Sequence, residues 1–413
     1  MMKILVMNAG SSSQKSSLYE LPIDRLPNEP LRPLWEASID WSKQDGMAAL
    51  TVETAYGALF EEVVASQSRS QDMTRLLETL WQGKTTVVRD RHEIAVVGHR
   101  VVHGGATYRE STWVTDEVKE AIAQLSAFAP VHNPANLAGI KAIDAVLETV
   151  PQVAVFDTAF HATLPAAATV YPIPYEWTEK GIRRYGFHGI SHCYCAHKAA
   201  QILGQDLASL RLMICHLGNG ASLSAVRDGQ CVDTTMGFTP LEGLMMGTRS
   251  GSIDPGISIH LMRQHGISAE ELDQLLNKRS GLLGVSGISG DMRQIDAAIA
   301  QGNERAQLAL EVYIHSLRRH MGAMLPSLGG VDAVVFTAGV GEHSANVRAK
   351  ACEAFEFLGM AIDPDKNARS PRDTDIATQD SRVRVLVIHT QEDWAIAQEC
   401  WLLMQQGQAQ KQA

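Results

Sequence analysis

Residues 4–13, ILVMNAGSSS, carry the clearest signal for the fold of this chain. An apolar run leads into an asparagine, a glycine and three serines, a pattern that predicts a buried strand followed by a tight turn. The stretch LMICHLGNGASLS at residues 212–224 repeats this order. Both stretches therefore predict a β-hairpin. Their repetition indicates a duplicated fold with a cleft between its halves, although two unrelated glycine-rich hairpins would give the same pattern.

Short apolar runs elsewhere predict a sheet whose strands are buried on both faces. They end abruptly in glycine, asparagine, aspartate or histidine, and they occupy residues 4–7, 94–97, 153–156, 212–215, 331–336 and 383–388. Strands of this kind are typical of a sheet covered by helices. Apolar residues at helical spacing predict helices over residues 116–128 and 304–324. We therefore expect an α/β fold, with a proline-rich loop at residues 25–32 and a frayed tail at residues 405–413.

Length and composition exclude several classes of protein. A chain of 413 residues predicts about two or three domains. Hydrophobic residues make up 45% and charged residues 20%, which argues against disorder. The formal net charge is −10, so neither a nucleic acid nor an anionic membrane is an expected partner. No apolar stretch reaches the roughly 18 residues of a membrane span, and the first one is too short for a signal peptide.

Cysteine usage indicates a reducing compartment. The six cysteines are scattered and form no Cys-x-x-Cys motif, so a disulfide framework is not expected. We interpret them as small core residues of a soluble, cytoplasmic protein.

Three glycine-rich turns after predicted strands point to a phosphorylated ligand. They lie at residues 8–13, followed by Lys15, and at residues 216–220 and 339–343. Backbone N–H groups, hydroxyls and an ammonium group are suitable donors to phosphate oxygens. The two common phosphate-binding motifs are absent. The segment that ends in Gly83-Lys84-Thr85 has Glu78 at the first glycine position of a P-loop, and residues 339–344 lack the third glycine of the dinucleotide fingerprint.

Two arginines and two carboxylates stand at glycine-rich turns or strand ends. Arg100 lies in GHRVVHGG and Arg249 in MGTRSG. A guanidinium binds carboxylate or phosphate in a bidentate manner, so both are candidate anion ligands, with a structural ion pair as the alternative. Asp157 and Glu392 follow predicted strands, where α/β folds place catalytic and Mg²⁺-binding groups. The alternatives are a helix cap for Asp157 and a first-turn charge for Glu392.

Histidine pairs four residues apart raise the hypothesis of a zinc hydrolase. They are His99 with His103 and His188 with His192. Neither pair has the glutamate of the His-Glu-x-x-His pattern, and glycine and serine interrupt the second pair. We expect packing or hydrogen bonding for these histidines, and tight stoichiometric zinc would contradict that expectation.

Taken together, these segments resemble the acetate kinase family, which are short-chain carboxylate kinases of the actin, sugar-kinase and heat-shock ATPase superfamily. The resemblance runs from Asn8 to Ala397 in ordered blocks: NAGSSS with Lys15, GHRVVHGG at 98–105, APVHNP at 129–134, FDTAFH at 156–161, RRYGFHG at 183–189, HLGNGAS at 216–222, and residues 233–255, 289–293 and 336–344. So many matches in order make coincidence an implausible explanation.

The resemblance implies two duplicated ribonuclease-H-like lobes around a central nucleotide cleft. Residues 1–156 with 393–413 would form the N-terminal, acyl-substrate lobe, and residues 157–392 the nucleotide-binding lobe. The implied activity is reversible transfer of the γ-phosphoryl group of ATP to acetate, giving acetyl phosphate and ADP. The implied ion is Mg²⁺, with Mn²⁺ as an alternative, and the implied assembly is a homodimer.

Roles at the reacting centre follow from the matching positions. By resemblance, Arg100 grips the acetate carboxylate, Arg249 steadies the transferring phosphoryl group, and His188 stabilises the transition state. His132 supports the active site. Asp157 would orient or deprotonate the carboxyl group, and we favour orientation because acetate is already an anion at neutral pH.

Metal and nucleotide positions are implied in the same way. Mg²⁺ would be held, directly or through water, by Asn8 and Glu392. The ATP phosphates would contact Lys15, His216, Leu217, Gly218, Asn219 and Gly220. The adenosine would contact Asp291, Met292, Arg293, Gly339, Val340, Gly341, Glu342 and His343.

The acyl pocket would be lined by Val102, Val131, Phe187 and Pro240. A valine at position 102 fills the space of an extra methylene, so we expect acetate to be preferred over propionate. Val131 stands where the family usually has leucine, which enlarges the pocket slightly. Other departures from the family pattern are His343, His389, Gln391 and Asp393.

Two alternatives remain open at this stage. Within the family, the chain would be a propionate or butyrate kinase, and Val102 argues against this. In another class, it would be a non-catalytic actin-like ATP-binding protein, for which a pair of substrate-gripping arginines is not expected.

Overall fold

Two mixed β-sheets, each containing one of the predicted hairpins, organise the computed structural model. It describes residues 1–10, 13–42, 44–130 and 132–412, without the side chains of residues 408–412. The strands are β1 (Met2–Ala9), β2 (Ser13–Leu21), β3 (Trp35–Asp40), β4 (Met47–Thr54), β5 (Leu59–Ala65), β6 (Ile94–Val101), β7 (Thr112–Trp113), β8 (Gln152–Phe156), β9 (Arg211–Leu217), β10 (Ala221–Arg227), β11 (Gln230–Thr234), β12 (Ala333–Thr337), β13 (Thr374–Asp375) and β14 (Arg384–Val387).

Helices connect and cover these strands. They are α1 (Arg69–Glu78), α2 (Asp116–Gln124), α3 (Asn133–Val146), α4 (Ala166–Thr169), α5 (Glu176–Glu179), α6 (Gly189–Leu203), α7 (Pro255–His265), α8 (Ala269–Lys278), α9 (Gly281–Ser286), α10 (Met292–Ala300), α11 (Glu304–Leu328), α12 (Ala338–His343), α13 (Ala345–Glu353), α14 (Pro364–Ala368) and α15 (Glu392–Gln412). The predicted strands, the loop at residues 25–32 and the helix at residues 304–324 are confirmed. Over residues 116–128 the helix α2 ends at Gln124 and a short 3₁₀ turn follows.

The two sheets share one order of five strands. The first reads β5-β4-β3-β2-β1-β6-β8-β7 and the second β11-β10-β9-β12-β14-β13. In each, a hairpin (β1 with β2, β9 with β10) gains one antiparallel strand on one side and two parallel strands on the other. This repeated order is the ribonuclease-H-like arrangement, and it confirms the predicted duplication.

The chain divides into two compact units, Met1–Ala159 with Gln391–Ala413, and Phe160–Thr390. These bounds differ by a few residues from the expected lobes 1–156 with 393–413 and 157–392. Asp157 and Glu392 therefore belong to the first unit rather than the second. The reason is local, since the N–H of Asp157 donates to Val101 O at 2.9 Å, and Glu392 begins α15, which packs on β1 and β6.

The core of the first unit lies between its sheet and the helices α1 and α3, around Leu5, Trp35 and Ile143. The helix α15 lies directly against β6 at Gly98. A Cβ atom at Gly98 would lie 2.5 Å from Sγ of Cys400 and 2.6 Å from Cγ2 of Ile396. This docking anchors α15, which continues to Gln412, whereas fraying was expected from residue 405.

The second unit buries the strands β9 and β12 on both faces. The helix α6 packs on both strands, and the long helix α11 packs on β9, β10 and β11. Within the described part of the chain, no helix has the length and apolarity to cross a membrane. The six cysteines are all free thiols.

Candidate functional site

The first unit brings together Arg100 near the end of β6 and Asp157 directly after β8. These strands are parallel neighbours, so their carboxyl ends meet at one edge of the sheet. Nε of Arg100 lies 3.2 and 3.1 Å from the two carboxylate oxygens of Asp157, and Nη2 lies 2.6 Å from Oδ2. Asp157 is therefore the ion-pair partner of an arginine and not a solvated charge.

Further carboxylates surround the guanidinium of Arg100. Burial alone lowers the pKa of Arg100, but Asp157, Glu392 and Asp393 outweigh it, and the net pKa is raised. Nη1 of Arg100 also lies 3.4 Å from Oδ1 of Asn8. The guanidinium thus remains charged in a partly buried position, which suits it to hold a small anion.

Asn8 and Asp393 form a second polar contact in this unit. Nδ2 of Asn8 donates to Oδ1 of Asp393 at 2.8 Å, and Oγ of Ser17 donates to Oδ2 at 2.9 Å. Lys15 lies directly opposite Asn8 in the β1–β2 hairpin and is exposed. Asp393 is therefore firmly held beside Asn8.

The oxygen atoms of this group fit a hard divalent cation. Mg²⁺ prefers carboxylate and amide oxygens and usually keeps several water ligands. Asn8, Glu392 and Asp393 supply such oxygens around Arg100. In the described ranges, no group of three or more His, Cys, Asp and Glu side chains is placed to hold a metal ion. Two carboxylates and one amide would accordingly leave coordination positions to water.

The loop after β6 is tied to the helix α3. The N–H of Val102 donates to Oδ1 of Asn136 and that of His103 to Oδ1 of Asn133, both at 3.1 Å. Val102 is buried, and half-buried His132 precedes the first residue of α3. Val131, the other expected pocket residue of this unit, lies outside the described residues.

In the second unit, His188 stands immediately before α6 with φ 58° and ψ 25°. This left-handed conformation is uncommon for a residue other than glycine and marks a side chain that the surrounding structure holds in place. Gly186, just before it, has φ 78°, and a Cβ there would lie 2.7 Å from the ring of His161. Phe187, between them, is buried. The YGFHG motif thus forms a tight turn that presents His188.

Serine hydroxyls hold the histidine rings around His188. Nδ1 of His188 lies 2.9 Å from Oγ of Ser222, and Nε2 of His192 lies 2.8 Å from the same oxygen. The ring of His216 stacks on that of His188 with centroids 4.2 Å apart, and its Nδ1 lies 2.8 Å from Oγ of Ser191. The pair His188 and His192, considered above as zinc ligands, converges instead on one hydroxyl.

The first histidine of the other pair lies on a strand and forms a hydrogen bond there. His99 lies on β6, not on a helix, and its Nε2 is 2.7 Å from Oε1 of Gln152. The strand geometry removes the helical spacing on which the zinc hypothesis depended.

Gly220 lies beside both His188 and Arg249. A Cβ built on Gly220 would lie 3.5 Å from Nε2 of His188 and 3.4 Å from Nη1 of Arg249. Nη1 of Arg249 donates to the carbonyl of Pro240 at 3.2 Å, and burial lowers the pKa of Arg249. No carboxylate in the described ranges forms an ion pair with Arg249, so its charge is available to an anion.

Of the expected loop at residues 216–220, only residues 218–220 form the turn of the β9–β10 hairpin, because His216 and Leu217 still pair with β10 as the end of β9. The N–H of Gly218 donates to the carbonyl of Gly220 at 3.0 Å, and Asn219 is exposed. The side chain of Leu217 is fully buried, so only its backbone can face a ligand.

The remaining nucleotide positions divide between exposed and structural residues. Asp291 caps α10 through the N–H of Arg293, the guanidinium of Arg293 donates to the same carboxylate, and Met292 is buried. The segment 339–343, expected as a loop, lies in the short helix α12, with Gly339 and His343 exposed.

Glu342 on α12 is turned inward. Its Oε1 accepts from the N–H of Ala338 at 2.9 Å, and Oε2 lies 2.6 Å from Nδ1 of His389. The guanidinium of Arg348 donates to the carbonyls of Gly341 and Glu342, both at 2.8 Å. The side chain of Glu342 therefore fixes the backbone of α12 and is not available for a ligand. His389 supplies one of its partners.

Sequence reasoning missed the residues that hold the site residues in place. They are Ser17, Asn133, Asn136, Ser191, Ser222 and Asp393. Asn133 and Ser222 lie inside the blocks quoted above, but nothing in the pattern indicates which side chain each of them contacts.

The chain is similar over almost its full length to proteins of one family. The model of the Acetokinase family matches residues 3–398. An acetate kinase of Cyanothece sp. is 64% identical over 404 residues, covering 98% of this chain and 99% of the relative, and one of Gloeobacter violaceus is 66% identical over 401 residues, covering 97% and 99%.

Two solved structures are similar to this chain over almost its full length. The crystal structure of Porphyromonas gingivalis acetate kinase has a TM-score of 0.89 at 39% identity, covering 98% of this chain and 100% of that chain. A propionate kinase from Francisella tularensis has a TM-score of 0.88 at 38% identity, covering 97% and 99%. With a family model that spans almost its full length and relatives this similar, the chain belongs to the Acetokinase family.

Proposed function

We propose that this chain transfers the γ-phosphoryl group of ATP reversibly to acetate, giving acetyl phosphate and ADP. The observation that carries the proposal is the end-to-end similarity to acetate kinases, at 64% and 66% identity in two relatives. The acid–base chemistry is undemanding, because acetate is already a nucleophilic anion at neutral pH. The main task is to bring two anions together and to stabilise an in-line, metaphosphate-like transfer.

The charges at the site suit this task. We assign Arg100 to the acetate carboxylate and Asp157 to the orientation of Arg100, which it contacts through three hydrogen-bond distances between 2.6 and 3.2 Å. We assign Arg249 and His188 to the transferring phosphoryl group, because Nη1 and Nε2 of these residues approach the same position beside Gly220. His132 would support the acyl side.

ATP would bind through the predicted phosphate and adenosine segments. We assign the backbone of residues 216–220 and the ammonium group of Lys15 to the phosphates. Residues 291–293 and the exposed side of α12 would contact the adenosine. Buried Met292 and inward-turned Glu342 would support these contacts and would not make them.

Mg²⁺ is the divalent ion that we propose, with Mn²⁺ as an alternative. Asn8 and Glu392 would hold it, directly or through water, and Asp393, which accepts a hydrogen bond from Asn8 and follows Glu392 in the chain, would support them. When bound, such an ion would offset the negative charge of the phosphate groups. Glu392→Gln should raise the Mg²⁺ concentration needed for half-maximal velocity, and an unchanged Mg²⁺ dependence would exclude Glu392 from the metal site.

The acyl specificity is proposed to favour acetate. Val102 is buried and would fill the space of one methylene. The competing candidate is a propionate kinase, which the similarity to the Francisella tularensis propionate kinase favours. One methylene is worth about 1–3 kcal/mol of discrimination.

A homodimer in the cytoplasm is the proposed state of the chain. The helix α7 has no buried residue, and Ile257, Ile259 and Met262 are 46%, 51% and 44% exposed. Such a row of exposed apolar side chains suits contact with a second copy of the chain. Light scattering after size exclusion would test the dimer, and Ile259→Asp should produce the monomer.

The free cysteines suit the reducing compartment that we propose.

The activity is tested by trapping acyl phosphate with hydroxylamine in the presence of ATP, Mg²⁺ and acetate, propionate or butyrate. The highest kcat/KM is expected for acetate.

Val102→Ala should raise the propionate-to-acetate ratio of kcat/KM about tenfold. Val118→Ala, which shortens a buried valine elsewhere in the same unit, should not change that ratio. If propionate or butyrate is preferred, the pocket assignment is wrong. If no acid gives acyl phosphate, the kinase proposal is wrong and a non-catalytic ATP-binding protein takes its place.

A further inference from the structure

One serine hydroxyl lies between two histidine rings in the second unit. Ser222 on β10 is fully buried, and its Oγ is 2.9 Å from Nδ1 of His188 and 2.8 Å from Nε2 of His192. A hydroxyl carries a single proton, so Ser222 can donate to only one of these rings. Between two neutral rings, it must accept a hydrogen bond from the other.

The surroundings of His192 decide the direction of this chain of hydrogen bonds. His192 is fully buried, and its Nδ1 has no hydrogen-bond partner in the described part of the protein. If Ser222 donated to Nε2 of His192, the proton of neutral His192 would lie on Nδ1, as a buried N–H without an acceptor. Such orphaned donors are rarer in native proteins than unpaired acceptors. The proton of His192 is therefore on Nε2, where it donates to Ser222.

Burial also keeps His192 neutral. Desolvation lowers the pKa of His192 well below its ordinary value, and the neighbouring rings of His161 and His216 lower it further. The doubly protonated ring, which would donate from both nitrogens, is thus excluded near neutral pH. Ser222 therefore accepts a hydrogen bond from His192 and donates its own hydrogen bond to Nδ1 of His188.

We propose that His192, acting through Ser222, holds the proton of neutral His188 on Nε2. His188 then donates a hydrogen bond from Nε2 without having to carry a positive charge. His192 and Ser222 are positioning residues in this arrangement. The inference rests on the proposed function, in which His188 faces the transferring phosphoryl group.

The geometry around Nε2 agrees with a neutral donor. Nε2 of His188 and Nη1 of Arg249 lie 3.5 and 3.4 Å from the position of a Cβ on Gly220, so both face the same space. A charged imidazolium there would oppose the guanidinium. Among the described contacts of the two histidines, the titratable or charged groups are His216, stacked on His188, His161, whose ring centroid is 5.6 Å from that of His192, and Arg249. None of them is an anion that would favour protonation.

Ser222→Ala tests the relay through the pH dependence of kcat. Without the serine, the proton of neutral His188 is no longer confined to Nε2, whereas the protonated ring always carries a proton there. We therefore expect kcat to fall about 10- to 100-fold at about pH 8, and by a clearly smaller factor at about pH 6. KM for ATP should stay within about twofold. A loss that is the same at both pH values would overturn the proposal.

Ser224→Ala is the matched control, because Ser224 is also fully buried on β10 and its Oγ is 3.4 Å from the hydroxyl of Thr234. It should keep the wild-type kcat and pH profile. His192→Phe removes the donor to Ser222 and should reproduce the pH-dependent loss. His192→Gln retains an N–H group at this side and should recover part of the activity. Equal activities of His192→Phe and His192→Gln would also overturn the proposal.

A spectroscopic measurement separates this inference from the proposed function. ¹⁵N-histidine NMR of the full chain distinguishes the two neutral tautomers, and His188→Gln identifies the signals of His188. We expect the Nε2-protonated neutral ring in the wild type and loss of that single tautomer in Ser222→Ala. The Nδ1-protonated ring in the wild type would overturn the proposal. This readout needs no turnover, so it decides the matter even if the chain makes no acyl phosphate.

Discussion

The guanidinium of Arg100 spans both carboxylate oxygens of Asp157, with Nη2 and Oδ2 2.6 Å apart. The side chain of Asp157 is only 2% exposed and that of Arg100 18%. A carboxylate that is committed to an arginine in this way is a poor general base, since the charged partner stabilises the ionised form. It is well placed to set the orientation of the guanidinium.

We therefore expect Asp157→Asn to lower kcat about 100-fold while the KM for acetate and the shape of the pH profile change little. The amide can still accept a hydrogen bond but no longer holds both guanidinium nitrogens. Steady-state kinetics across pH would measure this, with thermal unfolding to establish that the variant is folded. Disappearance of the acidic limb of the profile would instead identify Asp157 as a base.

The space beside Gly220 offers a second test. Gly220→Ala places a methyl group at ordinary contact distance from His188 and Arg249, 3.5 and 3.4 Å from their nearest nitrogens. The fold should tolerate it, but the methyl group would occupy the position assigned to the phosphoryl oxygens. We expect kcat/KM to fall about 10- to 100-fold with an unfolding free energy within about 1 kcal/mol of the wild type. Unimpaired kinetics would show that phosphoryl transfer takes place elsewhere.

The contacts of Glu342 predict a pH dependence of stability. Burial alone raises the pKa of Glu342, but the hydrogen bond to His389 and those from the backbone outweigh it, and the net pKa is lowered from 4.5. A carboxyl group whose pKa is lower in the folded state stabilises the fold at pH values above its unfolded pKa. That contribution is lost as the pH falls through the folded pKa.

Urea unfolding of the wild type and Glu342→Gln should therefore differ most near neutral pH and converge as the pH falls below 4.5. Glu356→Gln, which changes an exposed glutamate of the same unit, serves as the control and should follow the wild type. A constant difference between wild type and Glu342→Gln at all pH values would contradict the assignment.

Two glycine-to-alanine substitutions should change the free energy of unfolding in opposite directions. Gly98→Ala forces a methyl group to within 2.5 Å of Cys400 and 2.6 Å of Ile396, both fully buried, and should cost about 1–3 kcal/mol. Gly322→Ala, inside α11 with no atom within 4 Å of the new Cβ, should stabilise by about 0.5–1 kcal/mol. Chemical denaturation measures both, and equal effects would contradict the docking of α15 at Gly98.

Much of the fold could be predicted because its signals are local. The apolar runs at residues 4–7 and 212–215 lie in strands, and each is followed by a hairpin, since burial on both faces and a glycine turn leave a pattern within a few residues. The segment 339–343 was wrongly expected to be a loop. Its glycines favoured a turn, but the inward hydrogen bonds of Glu342 and the guanidinium of Arg348 hold it as a helix.

Local residue patterns specify the strands and hairpins, the family blocks and the charged residues at the site, such as Arg100, Asp157 and Arg249. Tertiary packing selects the groups that hold these residues. Asn8 contacts Asp393, which is 385 positions away in the sequence. Ser222 contacts two histidines that precede it by 34 and 30 positions. Hydrogen-bond partners at such separations depend on how strands and helices pack, and a linear pattern of residue types carries no record of that geometry.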